Sequence, residues 1–375
     1  MSEILDWIHQ VKDWLFGLID QFAASPHPGW WLFALAVAEN LRARGEQIVW
    51  LGTRAGIEAR VVPAANIAIE WLNVQGLRGK GLVTGLLAPF RLLRACWQAL
   101  RILRRTRPKA VLGMGGFVSG PGGLMAWLLH IPLFLHEQNA IVGLTNRILG
   151  RFATHSYVAF PQAARTLVGA KCIGNPVREG FTRLEPPAQR LRARFDSPLQ
   201  LLVVGGSLGA AALNRILPQA LACLEPGQRP RVWHQCGEQH LKDCHERYAD
   251  ARVAAEIVSF IDDMPAAFGW ADLVVCRAGA LTIAELSAVG LPSLLIPFPY
   301  AVDNHQYYNA LFLQQQDAAQ LLPEDELSPE NLALKIRFFQ QNRERLVEMA
   351  ENARAQFQAD AAERLATDIV AGAGR

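Results

Sequence analysis

The sequence predicts an α/β protein made of two consecutive doubly wound domains with a ligand cleft between them. Short apolar strands alternate with helical stretches from residue 34, and a second series of the same kind begins near residue 199. Continuous apolar strands are typical of parallel sheets that helices cover on both faces. The 375 residues suffice for two domains with full cores, and 51% hydrophobic against 19% charged residues excludes a disordered or fibrous chain.

The first series begins with a helix over residues 34–44, which Gly45 ends, because glycine is favoured directly after a helix. The elements after it are short apolar runs, which predict strands over 47–52, 109–112, 131–135, 155–160 and 171–173 and a helix over 89–105.

The second series predicts strands over 199–204, 231–235, 256–260, 272–276 and 293–297. A helical tail starts at Ser328, a favoured N-cap, with Pro329 in the first turn. We therefore divide the chain into an atypical amphipathic segment 1–30, a domain 31–176, a domain 177–350 and a helix 351–375 that packs back on the first domain.

Charge and cysteine content narrow the class of protein further. A net charge of +3 from 37 basic and 34 acidic residues is too even for a nucleic-acid binder, so no nucleic-acid partner is expected. The six cysteines form no CxxC pair, which indicates reduced thiols. The cluster of Cys236, His240, Cys244 and His245 lacks a second ligand pair, so we expect no metal and no cofactor. The start has no signal-peptide pattern, and its apolar runs are too short to span a bilayer.

A glycine-rich stretch at 113–123 follows a predicted strand and precedes a predicted helix over 124–129. Backbone amides at a helix N-terminus bind anions, so we predict a diphosphate-binding loop. A tight turn with close helix–strand packing is the alternative. The residues that would form the loop are Gly113, Gly115, Gly116, Ser119 and Gly120.

A second glycine-rich turn, GGSLG at 205–209, follows the first strand of the second series. We interpret it as a phosphate site in which Ser207 supplies a hydroxyl, with packing again as the alternative. The turn departs from the G-x-G-x-x-G pattern of dinucleotide-binding proteins.

Polar residues follow three more of the predicted strands, where ligands bind in doubly wound sheets. Glu285, one turn into a helix, could accept hydrogen bonds from two ribose hydroxyls or could be a favourable first-turn acid. Gln306 offers the donor and acceptor that sugar hydroxyls require. His136, Glu137 and Asn139 directly follow strand 131–135.

Basic and apolar residues interleave between residues 78 and 109. This mixture predicts contact with an anionic membrane surface, and a solvated basic helix face is the alternative. The residues that define this basic-apolar surface are Arg78, Lys80, Leu82, Leu86, Phe90, Arg94 and Trp97.

Six motifs together resemble the MurG family of peptidoglycan N-acetylglucosaminyltransferases. They are GMGGFVSGPGG, HEQNA, GNPVR, GGSLGA, FIDDM and CRAGALTIAE, in the family's order and spacing, and the resemblance covers about residues 35–375. It implies a GT-B fold of two Rossmann-like domains. It also implies an inverting, metal-independent transfer of GlcNAc from UDP-GlcNAc to undecaprenyl-diphospho-N-acetylmuramoyl-pentapeptide, which converts lipid I to lipid II. The enzyme would be peripheral, on the cytoplasmic face of the cell membrane, and would serve cell-wall synthesis, cell shape and division.

The resemblance also implies roles for individual residues. The first domain would bind the acceptor and the membrane, with the 113–123 loop facing the acceptor diphosphate and His136 and Glu137 nearby as candidate catalytic groups. The second domain would bind UDP-GlcNAc. The implied donor-site residues are Asn139, Arg178, Ser207, Ile261 against uracil, Ala280, Leu281, Thr282, Ile283, Ala284, Glu285 on the ribose and Gln306.

The sequence departs from the family at its start. Members of the family open with a strand and a GGTGGH loop that supplies phosphate-binding amides and a candidate base, whereas this chain reads SPHPGW at 25–30. Because prolines cannot donate amide hydrogens, the anion site of that loop is expected to be lost. Trp30 stands where the histidine would be, so His27 is a candidate substitute base.

Three hypotheses follow from this departure: an active transferase, a donor-binding but catalytically impaired homologue, and an altered start from a fusion, frameshift or gene model. A UDP-GlcNAc 2-epimerase-like GT-B enzyme is a fourth, of a different reaction class.

Overall fold

A computed structural model describes residues 30–56, 58–73, 82–206 and 209–374. The amphipathic start of the chain therefore lies outside the described residues. The chain divides into two compact units: unit 1 comprises the residues up to Pro176 together with Asp360–Arg375, and unit 2 comprises Val177–Ala359. The helix at the expected boundary near residue 350 continues to Ala355.

Unit 1 is an α/β unit with parallel strands. In chain order its elements are α1 (Trp30–Ala43), β1 (Val49–Gly52), α2 (Glu58–Ala64), β2 (Ala68–Trp71), α3 (Leu82–Thr106), β3 (Val111–Gly113), α4 (Gly116–Leu128), β4 (Leu133–Glu137), α5 (Leu144–Leu149), β5 (His155–Val158), α6 (Pro161–Ala164) and β6 (Lys171–Cys172). The described strands form a two-stranded sheet, β1–β2, and a four-stranded sheet of order β3-β4-β5-β6.

Unit 2 repeats the α/β alternation. Its elements are α7 (Glu179–Thr182), α8 (Pro187–Arg192), β7 (Gln200–Val204), α9 (Ala211–Ala222), β8 (Arg231–Gln235), α10 (Leu241–Asp250), β9 (Glu256–Val258), α11 (Met264–Trp270), β10 (Leu273–Cys276), α12 (Ala280–Val289), β11 (Ser293–Leu295), α13 (His305–Gln314), β12 (Ala319–Leu321), α14 (Pro329–Gln341) and α15 (Arg343–Ala355). Short 3₁₀ turns cover Pro226–Gln228, Glu238–His240 and Val302–Asn304. The parallel sheet has the order β12-β11-β10-β7-β8-β9.

The strand order of unit 2 is that of a doubly wound sheet and fixes where a ligand can bind. Counted along the chain, the strands stand in the order 6-5-4-1-2-3, so the direction of winding reverses between β7 and β10. Ligands bind outside the carboxyl ends of the strands at such a switch point. Beneath the sheet, apolar residues of the strands and of α9, α14 and α15 form a continuous core, including Leu201, Leu213, Leu273, Ile336 and Val347.

The last helix, α16 (Ala361–Ala373), belongs to unit 1. It packs against α1, and Leu365 and Ile369 share a buried cluster with Val37 and Phe134. The approach is close, because a Cβ atom on Gly372 would lie 2.6 Å from the Phe134 ring.

Several boundaries follow their predicted signals, and others differ for physical reasons. Gly45 has φ +83° directly after α1, and the Ser328 Oγ accepts from the Asn331 amide as an N-cap. In contrast, α3 continues through Pro89 instead of starting there. Strands β2 and β12, with sequences AIEW and AQL, are too short and too mixed to carry a periodic signal.

Candidate functional site

The switch point of unit 2 brings two strand-to-helix turns together. Gly205 and Gly206 follow β7, and Arg277–Gly279 follow β10, the neighbouring strand. A Cβ atom on Gly205 would lie 2.7 Å from the Ala210 amide nitrogen, so the turn folds tightly back on itself. At Gly205 the structure therefore shows the close packing that was the alternative to a phosphate site for the glycines at 205–209. Ser207, the predicted phosphate ligand, lies outside the described residues.

Gln235 fixes this turn, a role that the sequence analysis missed. Its Oε1 accepts from the Gly206 amide at 3.1 Å, and its Nε2 donates to the Gly206 carbonyl at 3.0 Å and to the Ser259 carbonyl at 3.0 Å. Gln235 is buried at the end of β8. The available signal was a polar side chain that ends an apolar strand beside a glycine turn.

Helix α12 starts at the same edge and holds most of the predicted donor-site residues. Gly279 precedes it in an extended conformation, and the helix N-terminus follows closely after the end of β10. Glu285 is 8% exposed, and its Oε1 accepts from Arg178 Nη2 at 3.3 Å. Burial raises the pKa of Glu285 to about 7, while the Arg178 charge and hydrogen bond lower it in part. Residues 280, 281, 282 and 284 are half-buried and Ile283 is buried.

Gln306 and Ile261, two further predicted donor-site residues, are both buried in unit 2. Gln306 is buried at the start of α13, and its Oε1 accepts from the Phe298 amide at 3.0 Å. Its Nε2 is the group able to donate to a ligand oxygen. Ile261, expected against uracil, is 5% exposed in the segment after β9.

In unit 1 the end of β4 forms a buried polar network. His136 Nε2 donates to the Gly174 carbonyl at 3.0 Å, and His136 Nδ1 accepts from Gln138 at 3.2 Å. Burial lowers the pKa of His136 to about 4, so the ring is neutral at pH 7. Both ring nitrogens are thus engaged inside the unit.

Glu137 organises the turn that follows the strand. Its carboxylate accepts from the amides of Asn139 and Gly143, each at 3.1 Å, and from Asn146 Nδ2 at 2.9 Å. Burial raises the pKa of Glu137, and these hydrogen bonds lower it in part. A buried carboxylate with this many donors holds a backbone turn in place. Asn139 is held at the half-buried start of that turn.

The glycine-rich stretch of unit 1 is shorter as a loop than predicted. Helix α4 begins at Gly116 and not at residue 124, so Ser119 and Gly120 lie inside it and Ser119 Oγ donates to the Gly115 carbonyl. Gly115 and Gly116 have φ of +81° and +78° and form the turn. Gly113, predicted for the loop, instead ends β3, where a Cβ atom would lie 2.8 Å from the Leu135 side chain. A Cβ atom on Gly123 would lie 2.7 Å from Leu149, which accounts for a glycine inside the helix. The tight turn at its start and the close packing behind it are the features of the alternative, and the diphosphate-binding loop stays a prediction.

The described part of the basic-apolar surface is the solvent face of α3. Phe90 is 70% exposed and Trp97 is 56% exposed, and Arg94 is exposed between them. Arg101 stacks on the Trp97 ring at 4.8 Å. Leu82 and Leu86 belong to the helix, but their side chains, like Arg78 and Lys80, are outside the described residues. Helix α4 packs against α3 and exposes Trp127 and Leu128, which the sequence analysis did not single out.

The candidate metal cluster of the sequence contains two buried thiols. Burial raises the pKa of Cys244 to about 12, so it is a neutral thiol, and Cys236 beside it is also buried and free. Among the described residues, no group of three or more histidine, cysteine, aspartate or glutamate side chains is arranged to hold a metal ion. His27 lies outside the described residues.

No helix in the described ranges is both long enough and apolar enough to cross a membrane.

Comparison with known proteins gives concordant results along the chain. The profile of the glycosyltransferase family 28 N-terminal domain matches residues 32–158, and that of the C-terminal domain matches residues 200–365. A relative from Alkalilimnicola ehrlichii is 54% identical over 333 residues, which cover 89% of this chain and 93% of the relative. It is named UDP-N-acetylglucosamine--N-acetylmuramyl-(pentapeptide) pyrophosphoryl-undecaprenol N-acetylglucosamine transferase.

Two solved structures with different degrees of sequence identity resemble this chain. The crystal structure of MurG from Acinetobacter baumannii is 39% identical with a TM-score of 0.82, and the match covers 93% of this chain and 97% of that one. A UDP-GlcNAc 2-epimerase from Neisseria meningitidis is 11% identical with a TM-score of 0.62, over 90% of this chain and 95% of that one. The second likeness is one of fold alone.

Proposed function

The chain belongs to glycosyltransferase family 28 and, within it, to the MurG family of N-acetylglucosaminyltransferases, and from this membership we propose its reaction. The enzyme transfers GlcNAc from UDP-GlcNAc to undecaprenyl-diphospho-N-acetylmuramoyl-pentapeptide with inversion at the anomeric carbon. The observation that carries the proposal is the switch point of unit 2, where a glycine turn, a helix N-terminus and the buried Glu285 converge.

The donor site is assigned on this geometry. The Gly205 and Gly206 amides donate to Gln235 and hold the turn. We assign the diphosphate to the N-terminus of α12 and to the start of the helix that follows this turn, because a helix N-terminus carries partial positive charge. Glu285 accepts hydrogen bonds from the ribose hydroxyls, and Ile261 contacts uracil. Gln306 donates its Nε2 hydrogens to GlcNAc hydroxyl oxygens, since its Oε1 is already occupied.

The reaction requires stabilisation of the negative charge that develops on the leaving group. The acceptor hydroxyl oxygen forms a bond to the anomeric carbon while the bond from that carbon to the UDP β-phosphate oxygen breaks, and the hydroxyl proton passes to a base. UDP leaves with developing negative charge, which preorganised amide dipoles stabilise without reorganisation. We assign His136 and Glu137 to holding the Asn139 turn and not to proton transfer, because both are buried and already hydrogen-bonded.

Unit 1 is assigned to the acceptor and the membrane. The turn at Gly115 and Gly116 faces the acceptor diphosphate, and the solvent face of α3 binds the anionic surface that carries the lipid. Exposed Phe90 and Trp97 beside Arg94 and Arg101 combine the apolar and cationic groups that such a surface requires. The enzyme is then peripheral on the cytoplasmic face of the cell membrane and serves cell-wall growth and division.

A transfer assay tests the proposal. The purified full chain is given UDP-GlcNAc and a lipid-linked muramoyl-pentapeptide, and a variant with GGTGGH in place of residues 25–30 is run beside it. We expect the disaccharide lipid product and UDP from the natural chain. UDP-GlcNAc binding without product, restored by the GGTGGH variant, would instead identify a catalytically impaired homologue.

A further inference from the structure

Arg178 and Glu285 form an ion pair inside unit 2 whose two members are in unequal surroundings. Arg178 stands at the start of the unit, directly before α7, and its side chain is 45% exposed, whereas that of Glu285 is 10% exposed. Nη2 of Arg178 lies 3.3 Å from Oε1 of Glu285. The guanidinium also stacks on the fully buried Phe181 ring at 5.0 Å, so it is held from two sides.

The pair matters because Glu285 has little other electrostatic support. Burial favours the neutral form of a carboxyl group, and Arg178 supplies the charge and hydrogen bond that oppose it. Helix α12 packs against α7, α11, α13 and α15. Helix α11 has no titratable side chain, and the buried face of α15 is apolar. The remaining titratable and charged groups on the adjoining elements are Glu179, which pairs with Arg183, His305, Tyr307, Tyr308, Cys276, and Arg277, which pairs with Glu324.

We propose that Arg178 is a positioning residue, which keeps the Glu285 carboxylate charged and oriented so that it accepts hydrogen bonds from the donor ribose. The inference rests on the proposed function, which assigns Glu285 to the ribose. Arg178 donates to Oε1 of Glu285, and we assign the other oxygen, Oε2, to a ribose hydroxyl. A neutral carboxyl group would be a poorer acceptor and would carry a hydrogen of its own.

A positioning role of Arg178 and a direct contact of Arg178 with the donor diphosphate predict different results. An arginine that acts through Glu285 loses its importance where Glu285 is ionised without help, and also where the ligand has no ribose hydroxyls. An arginine that binds phosphate oxygens matters equally under both conditions, because its own charge does not change with pH.

The experiment measures UDP binding to the full chain by calorimetry at pH 7 and pH 9. Burial raises the pKa of Glu285 to about 7, and the Arg178 charge and hydrogen bond lower it in part. Loss of Arg178 therefore raises the pKa of Glu285 further, so that the ionised fraction falls at pH 7 and recovers at higher pH. We therefore expect Arg178→Ala to weaken UDP binding about fivefold at pH 7 and to leave it unchanged at pH 9, with Arg178→Lys restoring most of the affinity.

A second ligand and a control variant complete the test. With the 2′,3′-dideoxy analogue of UDP, Arg178→Ala should have no effect at either pH. Arg183→Ala is the control, because it removes a nearby arginine whose ion pair is exposed. It should change neither the affinity for UDP nor the affinity for the dideoxy analogue. If Arg178→Ala lost affinity equally at both pH values, or equally for both ligands, the inference would be wrong. The proposed donor site would not be contradicted by that result. Failure of the natural chain to bind UDP would refute the proposed function, and the inference with it.

Discussion

At the scale of single residues, the molecule uses buried titratable groups for two different purposes. Glu285 is buried beside the switch point, and Arg178 donates to its Oε1. Glu137 is buried at the end of β4 and already accepts from several internal donors. His136 is neutral and bonded through both ring nitrogens. Under the proposed assignments, Glu285 binds the ligand and has fewer internal partners than Glu137, which supports the turn.

Glu137→Gln tests the supporting role. A glutamine has one acceptor oxygen and an amide that repels the facing donors, so we expect the variant to lose about 1–3 kcal/mol of stability in unit 1. Hydrogen exchange at the Gly143 amide, which donates to Glu137, should become faster in the variant. If exchange stays unchanged while transfer is lost, Glu137 acts chemically and not as a support.

At the scale of elements, α4 shows why a helix can begin in a glycine-rich segment. Gly115 and Gly116 provide the left-handed backbone of the turn, and Gly122 and Gly123 let the helix approach Leu51 and Leu149. Each glycine inside a helix costs about 1 kcal/mol relative to alanine. Close packing against the sheet and α5 offsets that cost.

Gly123→Ala is the corresponding prediction. Its Cβ atom would lie 2.7 Å and 3.1 Å from the two terminal methyl carbons of Leu149, so the variant should lose about 1–3 kcal/mol by overpacking. Gly227→Ala, at a site with no atom within 4 Å of the added Cβ, is the control. Equal thermal unfolding midpoints for the two variants would contradict the packing argument.

The elements also show which parts of the structure local sequence could predict. Strands such as β7 and β10 were predictable because they are apolar, except for Gln200 at the start of β7. The N-cap at Ser328 was predictable because its signal is local. The start of α4 was not, because glycine favours a loop locally and only tertiary packing makes it helical. The clamp of Gln235 on Gly206 also required the sheet order, since β7 and β8 are apart in sequence.

The same distinction applies to the candidate site. The motifs predicted that Glu285 and Arg178 belong to a donor site, and the structure places the two side chains in an ion pair. Their pairing could not be predicted from the sequence, because 107 residues separate them and no local pattern couples them.

At the scale of the whole molecule, apolar exposure is present on both units. Unit 1 exposes Phe90 and Trp97 on α3, and unit 2 exposes Leu334 and Phe338 on α14. The first pair has Arg94 and Arg101 as close sequence neighbours on the exposed helix face. A charged rim of this kind favours binding to anionic lipid.

A vesicle-binding measurement compares the two surfaces. We expect Phe90→Ser with Trp97→Ser to weaken binding to vesicles that contain anionic phospholipid by roughly tenfold, because each aromatic ring would otherwise be buried in the interface. Leu334→Ser with Phe338→Ser should leave that binding unchanged. Equal losses in the two double variants would mean that α3 has no special part in it.

The return of α16 to unit 1 bears on the order in which the polypeptide acquires its structure during translation. Leu365 and Ile369 complete a cluster that also contains Val37 and Phe134, so the interior of unit 1 stays incomplete until α16 has been synthesised. Unit 2 is contiguous from Val177 to Ala359, so all of it leaves the ribosome before α16 does. Since domains generally fold as units while the ribosome is still working, the inserted half can mature first and the half that begins the chain last.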